Sequence, residues 1–313
     1  MRGGVMRVAA IDCGTNSIRL LIADIDNGQL VDVVRTMIIV RLGEGVDKTG
    51  EFSQGALERT FAAADVYAQL IAENKPEVVR FVATSASRDV SNRDVFVSGI
   101  KARLGIEPDI ISGDEEARLS FLGATADLVN DSNPPAAPYL VIDIGGGSTE
   151  FVLGTTAPEN AISTNVGCVR MTERHLVSDP PTAEQIVAAT SDIDDAIRLA
   201  AASVPLNRAA SLIGLAGSVT TVAALALGLD EYDSSKIHGS RISATDVHRV
   251  TQELLVMPRA QRAALGPMHE GRVDVIGGGA LVLDRILTLT GINEVVVSER
   301  DILDGIARAL TGQ

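Results

Sequence analysis

The chain has 313 residues, of which 46% are hydrophobic and 22% charged, a composition typical of a globular protein with room for two domains. Its formal net charge of −14, the absence of Trp and an aromatic content of 3% argue against a nucleic-acid-binding protein, which needs basic surface and stacking side chains. No apolar run reaches the roughly 20 residues of a membrane span, and the start MRGGVMRVAAIDCG reaches Asp12 too early for a signal peptide. We therefore expect a cytoplasmic protein that binds neither nucleic acid nor membrane.

The first half of the chain alternates between strand and helix patterns. In chain order these patterns predict strand–turn–strand over 7–25, a third strand over 31–46, a helix over 53–74 capped by Ser53, a strand entering a polar turn over 78–90, a helix over 96–105 ending at Gly105, and a short strand, a turn and a helix over 107–128. Three acidic residues, Asp114, Glu115 and Glu116, begin the helix predicted within 107–128, where carboxylates interact favourably with the helix dipole.

The polar and Pro-rich segment 130–138 is a candidate domain boundary. After it the chain starts a second block of the same kind with the stretch VIDIGGGSTEFVLG, residues 141–154. Further patterns predict a helix over 183–202, strand–Gly–helix over 212–228, a helix over 244–256, a Gly-rich helix start over 275–291, a strand over 294–298 and a final helix over 299–311. This alternation indicates an α/β fold throughout.

The second block repeats a motif from the start of the chain. IDCGTNSIR, which begins at Ile11, aligns with IDIGGGSTE, which begins at Ile142, at a constant offset of 131 residues. Each copy reads strand, Asp, any residue, Gly, small polar turn and strand. A pattern that recurs once at domain spacing predicts two similarly folded halves.

A turn rich in Gly, Ser and Thr exposes backbone N–H groups that, together with hydroxyls, form an anion-binding nest. Glycine lets the backbone approach a phosphate closely, and the Asp at the strand end can hold Mg²⁺ or a water beside that phosphate. Two such turns facing each other would hold a phosphate chain between domains. The alternative is a pair of ordinary Gly-rich hairpins. Neither turn is a P-loop, because the chain has no GxxxxGK[ST] sequence there.

Both motifs, together with ATSASRD (83–89) and SGDEEARLSFLG (112–123), resemble the exopolyphosphatase and guanosine pentaphosphate phosphohydrolase (Ppx/GppA) family. The resemblance covers nearly the whole chain and continues in AGSVTTVAAL (216–225), SSKIHGSRIS (234–243) and IGGGALVLDRIL (276–287). It implies two actin-like (ribonuclease H-like) domains of the acetate kinase, sugar kinase, Hsp70 and actin superfamily, with the active site in the cleft between them. The implied domains are 1–128 plus 299–313, and 129–298.

The resemblance also implies a reaction, namely Mg²⁺-dependent hydrolysis of the terminal phosphate of polyphosphate or of guanosine pentaphosphate (pppGpp). Many family members carry a further C-terminal domain of the HD type. We expect this chain to lack that domain, which favours short polyphosphate chains or nucleotides as substrates. The oligomeric state is left open, with a homodimer as one expectation.

Site residues follow from the same resemblance. Glu116 matches the position of the catalytic base, although the sequence alone does not distinguish it from Asp114 and Glu115. Asp143 and Glu150 flank the glycine turn and are candidates for catalysis and for holding Mg²⁺, with Asp12 as the symmetric partner of Asp143. The expected phosphate contacts lie in the two turns and at one arginine: Gly14, Thr15, Asn16, Ser17, Gly145, Gly146, Gly147, Ser148, Thr149 and Arg88.

Two other functions are compatible with this fold. One is a kinase that passes phosphate between a nucleotide and an acceptor, although an acid in GDEEARL is better suited to activating water. The other is a non-catalytic sensor of pppGpp or polyphosphate, which would be expected to keep the glycines and lose the acids. The sequence does not rank polyphosphate against pppGpp, since both present the same terminal phosphoanhydride.

Overall fold

A computed structural model describes residues 5–88, 90–128 and 133–311 of the chain. The segment predicted as a domain boundary, 130–138, is described only from residue 133 onward. Residues 130–132, and Asp89 of the 83–89 motif, lie outside the described residues.

Strands and helices alternate along the described chain. The strands are β1 (Met6–Cys13), β2 (Ser17–Asp26), β3 (Gln29–Ile39), β4 (Val78–Ala83), β5 (Asp109–Ile110), β6 (Tyr139–Ile144), β7 (Thr149–Gly154), β8 (Pro158–Thr164), β9 (Ser211–Leu215), β10 (Arg241–Ser243) and β11 (Glu294–Val297). The helices are α1 (Val46–Thr49), α2 (Gln54–Asn74), α3 (Ser85–Arg88), α4 (Arg93–Leu104), α5 (Gly113–Leu128), α6 (Cys168–Arg174), α7 (Ala183–Ser203), α8 (Ala216–Ala226), α9 (Ser234–Ile237), α10 (Ala244–Val256), α11 (Arg259–Ala263), α12 (Ile276–Thr290) and α13 (Ile302–Ala309). The predicted α/β class is confirmed.

The described chain divides into two compact units, residues 1–123 with 302–313 and residues 124–301. One division falls inside α5, between Gly123 and Ala124, and the other falls directly before α13. The resemblance implies the corresponding boundaries after residue 128 and before residue 299. In the described part of both units, no helix is both long enough and apolar enough to cross a bilayer.

The first unit is built on a five-stranded sheet with the order β3-β2-β1-β4-β5. Strands β1 and β2 are antiparallel, whereas β1 and β4 are parallel. Side chains of β1 point alternately to the two faces: Ala9 and Ile11 join a core with α2 and α4, and Val8 and Ala10 join a core with α13. Because both faces are covered, β1 is apolar at nearly every position.

The second unit is built on a six-stranded sheet with the order β10-β11-β9-β6-β7-β8. Here β6 and β7 are antiparallel and β6 and β9 are parallel, so β8-β7-β6-β9-β11 repeats the arrangement of β3-β2-β1-β4-β5. The register repeats too, since Asp12 pairs with Arg19 and Asp143 pairs with Glu150. The repeat predicted from the motif at offset 131 is therefore present in the fold.

Helix ends follow local chemistry. The hydroxyl of Ser53 accepts a hydrogen bond from the N–H of Ala56 and caps α2, as predicted. Gly105 ends α4 with φ 70°, a left-handed conformation that costs little for glycine. Two differences from the prediction stand out: SASR forms the short helix α3 instead of a polar turn, and the last helix begins at Ile302 instead of residue 299.

Candidate active site

The turn between β1 and β2 directs its carbonyl groups towards one neighbouring segment. The N–H of Gly14 donates to the carbonyl of Ser17 at 2.9 Å, which closes the turn. The carbonyl oxygens of Thr15 and Asn16 accept hydrogen bonds of 2.8 to 3.0 Å from the backbone of residues 40–43. Within the described chain, the N–H groups of Thr15 and Asn16 donate to no protein acceptor. Because C=O and N–H point in opposite directions across a planar peptide, the N–H of Asn16 points away from residues 40–43.

The turn between β6 and β7 has the same construction. The N–H of Gly145 donates to the carbonyl of Ser148 at 3.0 Å. The carbonyls of Gly145 and Gly146 accept the first three N–H groups of α6 at 2.9 to 3.1 Å, so the turn satisfies donors that a helix start otherwise leaves open. The N–H groups of Gly146 and Gly147 have no protein acceptor among the residues that the structure describes. These two donors are suited to an anion.

Two residues outside the predicted motif support this second turn. A Cβ at Gly167 would lie 2.6 Å from the carbonyl oxygen of Gly146, so only glycine allows the approach of the chain before α6. The Arg170 Nε donates to the carbonyl of Gly147 at 2.7 Å and places a guanidinium beside the turn. Neither residue has a spacing that would have identified it in the sequence.

At three of the positions predicted to contact phosphate, a polar group is hydrogen-bonded within the protein. The N–H groups of Gly14 and Gly145 donate to Ser17 and Ser148 within their own turns. Thr149 is fully buried, and its hydroxyl donates to the carbonyl of Val166 at 2.7 Å. Its hydroxyl therefore holds the backbone together instead of facing an anion.

The predicted base and the predicted phosphate clamp lie against each other. Arg88, the last residue of α3, donates from Nη1 to Oε2 of Glu116 in the first turn of α5 at 2.8 Å. Glu116 is buried, with 7% of its surface exposed. A guanidinium carries five N–H donors, so binding Glu116 through one of them leaves donors for a phosphate.

The three acids at the start of α5 have different surroundings. Asp114 is exposed, and Glu115 accepts a hydrogen bond from Arg80 at 2.7 Å. Glu116 is the buried member and the one that contacts Arg88. The sequence did not distinguish these three acids, and the structure distinguishes them by their burial and their partners.

Helix α3 also contacts the first turn directly. The hydroxyls of Thr15 and Ser85 are 3.1 Å apart and share a hydrogen bond. Ser85 is the first residue of α3 and Arg88 the last. The turn, Arg88 and Glu116 thus form one connected group within the first unit, and Ser85 is a member that the sequence did not reveal.

The aspartates at the penultimate positions of β1 and β6 have different cross-strand neighbours. Asp12, 4% exposed, accepts hydrogen bonds at Oδ2 from Arg19 Nε at 3.0 Å and from Arg19 Nη2 at 2.6 Å. Asp143 lies opposite Glu150, and both carboxylates are buried. Glu150 also accepts a hydrogen bond at Oε1 from the hydroxyl of Ser163 on β8 at 2.7 Å.

The donor set at Asp143 and Glu150 fits Mg²⁺, which takes oxygen ligands and is commonly held by one or two carboxylates with waters and substrate phosphates. Residues that pair across antiparallel strands have Cβ atoms about 4.5–5.5 Å apart, within reach of a shared cation. Asp12 fits less well, because the positive charge of Arg19 already lies against its carboxylate. In residues 5–88, 90–128 and 133–311 no group of three or more His, Cys, Asp or Glu side chains is placed to hold a metal ion.

Comparisons with known proteins agree on one family. The Ppx/GppA phosphatase family matches residues 21–310. The chain is 49% identical to exopolyphosphatase 2 of Mycobacterium tuberculosis over 98% of this chain and 99% of that protein. It is 29% identical to a guanosine-5'-triphosphate,3'-diphosphate pyrophosphatase of Photobacterium profundum, over 87% of this chain and 57% of that protein. The crystal structure of an exopolyphosphatase-like protein superposes with a TM-score of 0.95 at 46% identity, covering 98% of each chain.

Proposed function

Because this chain belongs to the Ppx/GppA phosphatase family and is a phosphoanhydride hydrolase, we propose that it releases terminal orthophosphate from short polyphosphate, with pppGpp as a second substrate. We place polyphosphate before pppGpp because the two named relatives are matched over different shares of their length. The relative named as an exopolyphosphatase matches over its whole length, whereas the one named as a pyrophosphatase of guanosine-5'-triphosphate,3'-diphosphate is matched over 57% of its length.

The observation that carries the proposal is the contact between Arg88 and Glu116 at 2.8 Å. Hydrolysis of a phosphoanhydride needs charge neutralisation and a group that orients or deprotonates the attacking water. Arg88 would bind the terminal phosphate, and Glu116 would accept the proton of the water. The ion pair holds both groups together within the first unit.

The turns would bind the phosphates behind the reacting one. Their open N–H groups, at Thr15, Asn16, Gly146 and Gly147, are fixed donors of the kind that bind phosphate oxygens. Because these backbone donors are already fixed in the fold, little reorganisation is needed when a phosphate binds.

Asp143 and Glu150 would hold Mg²⁺. When bound, the cation neutralises charge on the transferring phosphate. The chain's own contribution is to keep two carboxylates side by side at the end of β6 and the start of β7, next to the N–H groups of Gly146 and Gly147.

The test is phosphate release in the presence of Mg²⁺ from short polyphosphate, long polyphosphate, pppGpp and ATP. We expect release from short polyphosphate to be fastest and kcat to fall about 100-fold or more in Glu116→Gln, as is typical for loss of a general base. Glu115→Gln is the matched control, since Glu115 is the adjacent acid and pairs with Arg80 instead.

Equal losses in both variants would contradict the role of Glu116. Formation of a nucleoside triphosphate from polyphosphate and a nucleoside diphosphate, without net phosphate release, would favour the kinase alternative. Tight binding of pppGpp or polyphosphate without turnover would favour the sensor.

A further inference from the structure

Glu150 is held by a residue that no motif contains. The hydroxyl of Ser163 donates to Oε1 of Glu150 at 2.7 Å, and the two residues pair directly across β7 and β8. Only 1% of the Glu150 surface is exposed, whereas Ser163 is partly exposed.

The register at this point is fixed by a second bond. The hydroxyl of Thr164, the next residue on β8, donates to the carbonyl of Thr149 at 3.1 Å. Strand β8 therefore cannot slide along β7 without breaking side-chain bonds as well as backbone ones. Ser163 is a rigidly placed donor, and a hydrogen bond to a charged carboxylate is among the stronger ones in proteins.

Glu150 is the central residue of a row of three that pair across the strands, Asp143, Glu150 and Ser163. The equivalent row in the first unit, Asp12, Arg19 and Met37, lacks this bond. There Arg19 stands where Glu150 stands, and its partner on β3 is Met37, which has no hydroxyl. The donor thus occurs where the central residue of the row is a carboxylate.

We propose that Ser163 is a positioning residue for Glu150, and that its hydrogen bond to Oε1 fixes the orientation in which this carboxylate would meet Mg²⁺ and the substrate phosphate. The inference rests on the proposed function. A glutamate side chain has three rotatable bonds, and removing a partner that orients a metal ligand typically changes metal affinity or activity by 10- to 100-fold.

The experiment compares Ser163→Val with Ser163→Thr. Val and Thr have the same shape and both suit a strand, but only Thr keeps the hydroxyl. We expect Ser163→Val to lower kcat about tenfold or more with KM for short polyphosphate changed less than about twofold, and Ser163→Thr to keep most of the activity. A second readout is the affinity of the substrate-free protein for Mn²⁺ measured by electron paramagnetic resonance, which we expect to fall about tenfold in Ser163→Val alone.

Thr155→Val is the matched control. It removes a hydrogen bond of the same type, from the Thr155 hydroxyl to Glu159, near the other end of the same hairpin. We expect its kcat and Mn²⁺ affinity to equal those of the wild type. Thermal melting of all three variants separates a loss of positioning from a loss of folding.

Equal kcat and equal Mn²⁺ affinity in Ser163→Val and Ser163→Thr would overturn the inference, as would an unchanged kcat in Glu150→Gln. If the wild-type protein released no phosphate from any of the four substrates, the proposed function itself would fail. A wild type that hydrolyses polyphosphate, together with an inactive Glu150→Gln and an active Ser163→Val, would leave the function standing and remove only the role of Ser163.

Discussion

The two hairpins place equivalent rows of three side chains across their strands: Asp12, Arg19 and Met37 in the first unit, and Asp143, Glu150 and Ser163 in the second. The backbone frame, the turn bond from Gly to Ser and the register are the same. The central residue differs, and with it the charge of the row.

In the first row the central arginine neutralises the aspartate, and the pair contributes to folding. In the second row two buried carboxylates lie opposite each other, and we expect this arrangement to cost stability because like charges directly opposite across a strand pair repel. A protein keeps such a cost where the charges are used. We therefore expect the first row to serve folding and the second row to serve the proposed chemistry.

The largest effect should come from neutralising the second row. Glu150→Gln removes one of the two opposed charges while keeping the shape of the side chain. We expect kcat to fall about 100-fold or more, while the urea midpoint stays the same or rises because the repulsion is gone. A clear loss of stability in this variant would contradict the idea that the second row costs stability.

Arg19→Gln should show the opposite pattern. It removes the partner of a buried carboxylate, and we expect the free energy of unfolding to drop by about 1–3 kcal/mol. We expect the kcat of the folded variant to stay close to that of the wild type. Urea denaturation and single-substrate kinetics check both quantities. The double variant Asp12→Asn with Arg19→Gln should recover part of the lost stability, because the buried charge is then absent.

Each of the two turns is approached by a glycine from another segment, Gly43 at the first turn and Gly167 at the second. A Cβ at Gly167 meets the backbone of the second turn, whereas a Cβ at Gly43 meets the side chain of Thr15 at 2.3 Å. A side chain can rotate away and a backbone carbonyl cannot. We expect Gly167→Ala to cost about 1–3 kcal/mol and to raise KM for polyphosphate, and Gly43→Ala to cost less in both. Equal losses would show that the two turns tolerate displacement alike.

The smallest effect lies at the far end of the first hairpin. There Arg7 binds Asp24 across the strands, and this hydrogen bond lowers the pKa of the Asp24 carboxyl below its ordinary value. A lowered pKa in the folded state means that the pair stabilises the fold above the unfolded pKa of about 3.9 and loses that effect as pH falls through the folded value. The wild type should therefore exceed Asp24→Asn slightly in urea midpoint near pH 7, and the difference should shrink below about pH 4. A difference that persists at pH 3 would exclude this origin.

Several features of the protein follow from the sequence alone because they are local. The alternation of strand and helix patterns gives the α/β class, Ser53 and Gly105 mark helix ends, and the repeat of IDxG at offset 131 gives the two similar sheets. Each depends on residues a few positions apart, or on a motif compared with its own copy. The same locality explains the missed short helix α3, since four residues carry too little periodicity to separate a helical turn from a loop.

The partners within the site were decided by the tertiary structure. Arg88 and Glu116 are 28 residues apart in the chain, Thr15 and Ser85 are 70 apart, and Ser163 reaches Glu150 across a strand pair. Strand order and register bring these groups together, and no spacing in the sequence specifies them. The carbonyls of the first turn bind residues 40–43 and those of the second turn bind α6, while N–H groups of both turns remain for an anion. This arrangement likewise depends on segments that pack together only in the folded chain. The sequence therefore predicted which residues carry the chemistry of phosphate, and the packing of distant segments decided which of them contact one another.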